Sequence, residues 1–82
     1  MVIKILGPGC PNCLRLERTV LQVLKDLRIS VPVEKVTDVP GILSYGIMGT
    51  PGLVINEKVR VYGRVPGAAE VAKIIKAVLA EG

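Results

Sequence analysis

Changing patterns of hydrophobic and polar positions divide this chain into predicted strands and helices. The strand-like segments are short, apolar and rich in β-branched residues, and they lie at residues 2–6, 31–36, 53–55 and 59–62. Two segments with apolar residues at intervals of three or four, 11–28 and 67–80, are typical of amphipathic helices. A short helix over 39–45 is predicted between them, with Asp38 as its N-cap and Pro40 in its first turn.

The resulting order βαβαββα predicts a single α/β domain over residues 1–82. A strand, a helix and a second strand in succession imply a right-handed parallel crossover. The turn at 56–58 joins the last two strands into an antiparallel hairpin. We therefore expect a four-stranded mixed sheet flanked by helices. Uninterrupted aliphatic runs such as 53–55 indicate strands that are covered on both faces.

The first predicted helix begins directly after a break in the chain. Its apolar face is predicted to carry Cys13, Leu16, Val20, Leu24 and Leu27, with Leu14 and Leu21 widening the stripe. Pro11 suits the first helical turn, where its missing N–H costs nothing. Cys10 follows the Gly7-Pro8-Gly9 break, so both cysteines lie where a strand ends and a helix begins.

Composition restricts the chemistry that this chain can perform. Half of the residues are apolar, which excludes a disordered chain, and there is no His, Phe or Trp. No imidazole is therefore available for general-base catalysis or metal binding, and only Tyr45 and Tyr62 could stack on bases. The only soft nucleophiles are Cys10 and Cys13.

The charge distribution and the lengths of the apolar runs point to a cytoplasmic protein. The net charge is +4, divided equally between residues 1–41 and 42–82. We interpret the densest basic stretch, Lys58, Arg60 and Arg64, as a solvated hairpin and not as a nucleic-acid site. No run approaches the roughly 20 apolar residues of a membrane span, and the apolar N-terminus is too short for a signal peptide. We expect a soluble monomer without nucleic-acid or membrane partners.

Cys10-Pro11-Asn12-Cys13 places two thiols one helical turn apart, close enough for a disulfide. The helix start favours a thiolate at Cys10; in comparable motifs the thiol pKa falls from about 8.5 to roughly 3.5–7.5. Cys13 lies on the apolar stripe and should be more buried. We predict that Cys10 attacks a target disulfide and Cys13 resolves the mixed disulfide, with Pro11 and Asn12 tuning the pair. A metal site and two buried cysteines without function remain the alternatives.

Thr50-Pro51 is the second candidate element. It precedes the predicted hairpin, where a strand must begin beside the loop that carries the cysteines. An ordinary trans proline that opens a strand and a cis proline packed against the disulfide are equally compatible with the sequence alone.

Four segments together resemble the thioredoxin superfamily, and more narrowly the small thioredoxin-like redox-active disulfide proteins of archaea and bacteria. They are residues 7–13, 45–51, 53–56 and 63–66. The resemblance implies a minimal thioredoxin fold in which a cis Pro51 faces the disulfide and excludes metal, and the backbone of Thr50 pairs with an extended substrate. It also implies a carrier that reduces protein disulfides without a bound cofactor and takes electrons from a flavin-dependent thioredoxin-reductase-like enzyme.

The chain departs from thioredoxins at several positions. Gly9 stands where thioredoxins have Trp, and Pro-Asn replaces Gly-Pro between the cysteines. By ungapped count, Lys4 occupies the position of a buried Asp that serves thioredoxins as a base, which questions thioredoxin-type proton transfer to Cys13. We interpret Lys4 as an edge or surface residue. The Cys-Pro-x-Cys pattern resembles glutaredoxins, but residues 63–67 lack their glutathione-binding element, so glutathione is not expected as the main partner.

Two classes of function are compatible with this sequence. The first is a thiol–disulfide oxidoreductase that serves cell redox homeostasis as an electron carrier. The second is a soft-metal-binding module, because metallochaperones also place Cys-x-x-Cys between a first strand and a helix. Their order, βαββαβ, ends with a strand, whereas this chain ends with a helix. A dithiol reductant of a metal or metalloid resistance system lies between the two.

Overall fold

The computed structural model describes residues 1–81 of the chain. Its elements are β1 (Ile3–Leu6), α1 (Pro11–Asp26), β2 (Val33–Val36), α2 (Val39–Leu43), β3 (Gly52–Ile55), β4 (Lys58–Tyr62) and α3 (Ala68–Glu81). The predicted order βαβαββα is confirmed. β2 begins at Val33 and not at residue 31, because Pro32 has no N–H to donate to the ladder. The Pro32 carbonyl still accepts a hydrogen bond from the Ile3 N–H at 3.1 Å.

The four strands form one mixed sheet in the order β2-β1-β3-β4. β1 pairs in parallel with β2 and antiparallel with β3, and β3 forms an antiparallel hairpin with β4. All four residues of β3 and three of the four in β1 are buried, whereas the residues of β2 and β4 are half-buried or exposed. The expectation of strands covered on both faces therefore holds for the two central strands.

Helices cover both faces of the sheet, but unequally. The main core lies between the sheet and the helices α1 and α3, and it buries Ile3, Ile5, Leu16, Val20, Val23, Leu24, Leu53, Ile55, Val71, Ile75 and Val78. The opposite face has a smaller core beneath α2, which buries Leu6, Ile42, Ile47 and Val54. Because side chains alternate along a strand, Ile5 and Leu6 point into different cores. The end of β1 that leads to Cys10 is thus enclosed by both layers.

The three helices are 16, 5 and 14 residues long. Among the described residues, no helix combines the length and the apolar character needed to cross a membrane. α1 ends at Asp26 because Arg28 adopts a left-handed conformation, with φ 57°. The N–H groups of Arg28 and Ile29 donate to the carbonyls of Lys25 and Leu24, respectively. This is the Schellman arrangement that ends a helix, here with Arg28 in the position usually held by glycine.

A turn of two residues, Asn56 and Glu57, joins β3 to β4. Both residues have positive φ, 54° and 65°, as a type I′ hairpin turn requires. The Asn56 N–H donates to the Val2 carbonyl at 3.0 Å, and the Asn56 Oδ1 accepts from the Val2 N–H at 3.2 Å. These two bonds hold the turn beside the start of β1, so Glu57 lies close to the central strand.

Candidate redox-active site

Cys10 is the N-cap residue of α1. Its backbone is extended (φ −68°, ψ 163°), and Pro11 follows in the first turn of the helix. The Cys10 Sγ accepts a hydrogen bond from the Cys13 N–H at 3.3 Å. A helix N-terminus presents free N–H groups and a partial positive charge. Negative charge that develops on the Cys10 sulfur is therefore stabilised by the backbone, without an imidazole.

Cys10 and Cys13 form a disulfide, with their Cα atoms 5.1 Å apart. Cys10 is half-buried and the intervening Pro11 and Asn12 are exposed, whereas Cys13 is only 5% exposed. A reactant that approaches from solvent therefore reaches Cys10 before Cys13. This asymmetry is what an attacking thiol and a shielded resolving thiol require.

Two glycines ahead of Cys10 are required for different physical reasons. Gly9 has φ 95°, a conformation that side chains with a Cβ rarely adopt, so the Trp of thioredoxins would be strained here. A Cβ on the buried Gly7 would collide with the Cys13 Sγ and lie 3.1 Å from the Cys13 Cβ. The absence of a side chain at Gly7 therefore lets the disulfide pack directly on the end of β1.

The loop before β3 reaches the same end of the sheet. The peptide bond between Thr50 and Pro51 is cis, with Pro51 buried and Thr50 exposed. A Cβ on Gly7 would lie 3.9 Å from the Thr50 Cβ, so Thr50 and Cys13 flank the same glycine. The Pro51 carbonyl accepts a hydrogen bond from the Gly63 N–H at 2.9 Å, which ties this loop to the segment after β4.

An apolar groove of about 230 Å³ extends from the Thr50 loop towards α2. Its walls include Pro8, from the loop before Cys10, and Val39, Leu43 and Met48. Val39, Leu43 and Met48 are 61%, 58% and 92% exposed, respectively. Large apolar side chains that are grouped and this exposed mark a surface on which another molecule can be bound.

Lys4 lies on the central strand β1, so it is not an edge residue. Its side chain is 21% exposed and forms an ion pair with Glu57. Its Nζ is 2.6 Å from the Glu57 Oε1 and donates to the Tyr45 hydroxyl at 3.1 Å, which donates to Glu57 at 3.2 Å. The hydrogen bond from Lys4 lowers the pKa of the Glu57 carboxyl; the bonds to Glu57 and Tyr45 raise the pKa of Lys4. Lys4 shares the α2 face of the sheet with Leu6, whereas the helix that carries Cys13 covers the opposite face. Lys4 therefore does not occupy the place of a base behind Cys13.

A disulfide at the start of the first helix, on a sheet in the order β2-β1-β3-β4, defines the class of dithiol–disulfide proteins with the thioredoxin fold. A solved structure, that of thioredoxin 1 from the thermophilic eubacterium Thermosipho africanus TCF52B, shares this fold with a TM-score of 0.63. The match covers 98% of this chain and 96% of that one, at 20% sequence identity.

Sequence comparison narrows this class to a family. The thioredoxin-domain family model matches residues 1–76, and the chain belongs to this family. It is 36% identical over 75 residues to the thioredoxin of Methanothermobacter thermautotrophicus, covering 92% of this chain and 97% of that protein. It is 32% identical over 79 residues to the thioredoxin of Methanocaldococcus jannaschii, covering 96% and 91%. Together with the Cys10–Cys13 disulfide, these relationships identify a thiol–disulfide oxidoreductase and confirm the resemblance to the thioredoxin superfamily.

Proposed function

We propose that this protein reduces protein disulfides through a Cys10/Cys13 dithiol–disulfide cycle and serves cell redox homeostasis as an electron carrier. The observation that carries the proposal is the position of Cys10, at the N-terminus of α1 and more accessible than Cys13. In the reduced protein, the Cys10 thiolate attacks one sulfur of the target disulfide, and the other target sulfur leaves as a thiol. Cys13 then attacks Cys10, which releases the second target thiol and leaves Cys10 and Cys13 oxidised.

The surface around Thr50 supports an extended protein segment as substrate. Thr50 is exposed and lies beside Gly7 at the end of β1, where its backbone can pair with a substrate strand. The adjoining groove offers Leu43 and Met48 to apolar substrate side chains. A small thiol would leave this groove uncovered, whereas a polypeptide that spans Cys10 and the Thr50 loop would bury it.

We assign the remaining partners by chemistry and by the relatives named thioredoxin. The carrier must be reduced again after each cycle, and we propose a flavin-dependent thioredoxin-reductase-like enzyme as the electron donor. Residues 63–67 give no glutathione-binding element, and we do not assign glutathione as the main partner. Reduction of protein disulfides suits a reducing compartment, so we place the protein in the cytoplasm, as a monomer.

Reduction of insulin, followed by the turbidity of its released B chain, tests the proposal with dithiothreitol as the electron source. The wild-type protein should accelerate precipitation, and Cys10→Ser should not. Cys13→Ser should retain attack but accumulate a mixed disulfide with the target, visible by mass spectrometry. Activity of Cys10→Ser equal to that of the wild type would show that the nucleophile is assigned wrongly.

A matched pair of leucines tests the substrate surface separately. Leu43 and Leu79 are 58% and 50% exposed, but only Leu43 lines the groove. Covering a half-exposed leucine is worth about 1 kcal/mol, or roughly a fivefold change in affinity. Leu43→Gln should therefore raise the KM for insulin about fivefold, and Leu79→Gln should not. Equal effects of the two substitutions would contradict binding in the groove.

The metal-binding alternative is tested by the same reduced protein. Metallochaperones have the element order βαββαβ, which differs from the order βαβαββα of this chain. Stoichiometric retention of copper(I) or zinc, without turnover of insulin, would favour it over disulfide reduction.

A further inference from the structure

A small cavity of about 80 Å³ lies behind Cys13, on the side of the sheet that α1 covers. Cys13 and Glu17 line it from α1, and Lys35 lines it from β2. Glu17 follows Cys13 by four residues, so one helical turn places both side chains on the same face of α1. The cavity is therefore bordered both by Cys13, which is 5% exposed, and by the Glu17 side chain.

The proposed cycle, on which this inference rests, requires Cys13 to lose a proton. Only the thiolate of Cys13 can attack Cys10 in the mixed disulfide. The chain has no His, and Lys4 lies on the opposite face of the sheet, paired with Glu57. The cavity that Cys13 borders offers a route for this proton, and its volume of about 80 Å³ exceeds the ~10–15 Å³ that one water molecule needs.

Glu17 is held at this cavity by an ion pair with Lys35. Its Oε2 is 3.2 Å from the Nζ of Lys35, and the side chains of Glu17 and Lys35 are 20% and 57% exposed. Lys35 thus connects the cavity to solvent while it fixes the carboxylate. The other described residues that line the cavity are uncharged: Ile5, Gly7, Gly9, Leu14 and Thr37. Glu17 and Lys35 are therefore the titratable groups, besides Cys13, that face the cavity from the elements around it.

We propose that Glu17 accepts the proton of Cys13 during resolution of the mixed disulfide. The S–H bond of Cys13 breaks and its proton passes to the Glu17 carboxylate, directly or through water in the cavity, and then to solvent beside Lys35. The Cys13 electron pair forms the bond to the Cys10 sulfur. The bond between Cys10 and the target breaks, and the target thiolate takes a proton from solvent.

The alternative is that Glu17 and Lys35 act on Cys13 only through their charges. This alternative predicts that neutralising Glu17 changes the rate of resolution in the opposite direction. Glu17→Gln removes a negative charge near Cys13 and leaves the Lys35 ammonium unopposed, which stabilises the Cys13 thiolate. Under that alternative, resolution in Glu17→Gln is faster than in the wild type. If Glu17 accepts the proton, resolution is slower. The sign of the change therefore separates the two roles.

Ellman's reagent, a chromogenic disulfide, resolves the two steps in a stopped-flow experiment. Attack by Cys10 releases the first coloured thiol and leaves a mixed disulfide; attack by Cys13 releases the second. Glu17→Gln should slow the second phase on the order of tenfold or more near neutral pH and leave the first phase unchanged. Glu17→Asp keeps a carboxylate and should recover part of the rate. Glu34→Gln is the matched control: it removes the same charge from the exposed residue before Lys35 and should behave as the wild type.

The pH profile distinguishes proton transfer from a structural defect. Above the usual thiol pKa of about 8.5, hydroxide deprotonates Cys13 without help, so the rates of Glu17→Gln and the wild type should converge. A second phase that is unchanged or faster in Glu17→Gln would overturn the proposal, as would a defect of equal size at every pH. Loss of the first phase in the wild type, or its persistence in Cys10→Ser, would instead overturn the assigned cycle itself.

Discussion

Adding one methyl group at Gly7 should make the Cys10–Cys13 disulfide easier to reduce. A Cβ at this position would collide with the Cys13 Sγ and lie 3.1 Å from the Cys13 Cβ. In the oxidised protein the sulfur is held by its bond to Cys10 and cannot rotate away. In the reduced protein the Cys13 side chain can adopt another rotamer. Gly7→Ala therefore destabilises the oxidised form more than the reduced form.

The size of this effect follows from the cost of overpacking at a buried site. Insertion of one extra carbon into a packed core costs about 1–3 kcal/mol. If the oxidised form bears most of this cost, the reduction potential rises by roughly 20–60 mV, since about 30 mV corresponds to 1.4 kcal/mol for a two-electron couple. The sign is positive because the form that loses stability is the disulfide.

The potential is measured by equilibrating the protein in dithiothreitol buffers of known potential, alkylating free thiols and counting the labels by mass spectrometry. Thermal unfolding of the oxidised and reduced forms gives the two stabilities independently. Gly67→Ala is the matched control: a Cβ there meets no other described atom within 4 Å, and its effect should be equal in both forms. An unchanged potential in Gly7→Ala, with equal destabilisation of both forms, would refute contact between Gly7 and the disulfide.

Three further predictions concern stability. Arg28→Gly should raise the free energy of unfolding in urea by up to about 1 kcal/mol, because Arg28 has φ 57°, whereas Arg28→Ala should give no gain. Asp38→Ala should lower the free energy of unfolding by about 0.5–2 kcal/mol, because the Asp38 carboxylate accepts the Gly41 N–H at 2.8 Å and caps α2. Asp38→Asn should retain most of this capping stabilisation. The pKa of Glu57 is lowered from 4.5 by its bond to Lys4. The contribution of this ion pair to the free energy of unfolding is therefore present above pH 4.5 and is lost as pH falls through the lowered pKa. Glu57→Gln should therefore flatten the acid limb of stability against pH, and an unchanged limb would contradict the ion pair.

The order of elements could be predicted because each element carries its own local pattern. Apolar spacing identified the helices, and the prolines and glycines marked the breaks. The width of a buried face was less predictable. Leu14 and Leu21 belong to the apolar pattern of α1, yet they are 43% and 49% exposed. Their burial depends on whether a neighbouring element reaches the flank of the helix, which periodicity does not describe.

The functional site likewise contains residues that the sequence could identify and residues that it could not. Cys10 and Cys13 could be proposed from sequence because their spacing and the helix start are local features. Gly7 and Lys35 gave no such signal: their relevance depends on which residue of α1 packs over the end of β1 and which side chain of β2 faces it. Glu17 had one unused clue, its spacing of four residues from Cys13, which on a helix predicts a shared face.

Lys4 illustrates why a role should be assigned by the face of the sheet and not by counting along the chain. It stands six residues before Cys10, where thioredoxins carry a carboxylate, but it points to the α2 face and neutralises Glu57. The proposed cycle still requires the deprotonation of Cys13 in the absence of that carboxylate, because only a thiolate can resolve the mixed disulfide. On the other face of the sheet, Glu17 lines the same cavity as Cys13 and is held there by Lys35. If Glu17 accepts the proton of Cys13 as proposed, the base that serves Cys13 comes from α1 and not from β1.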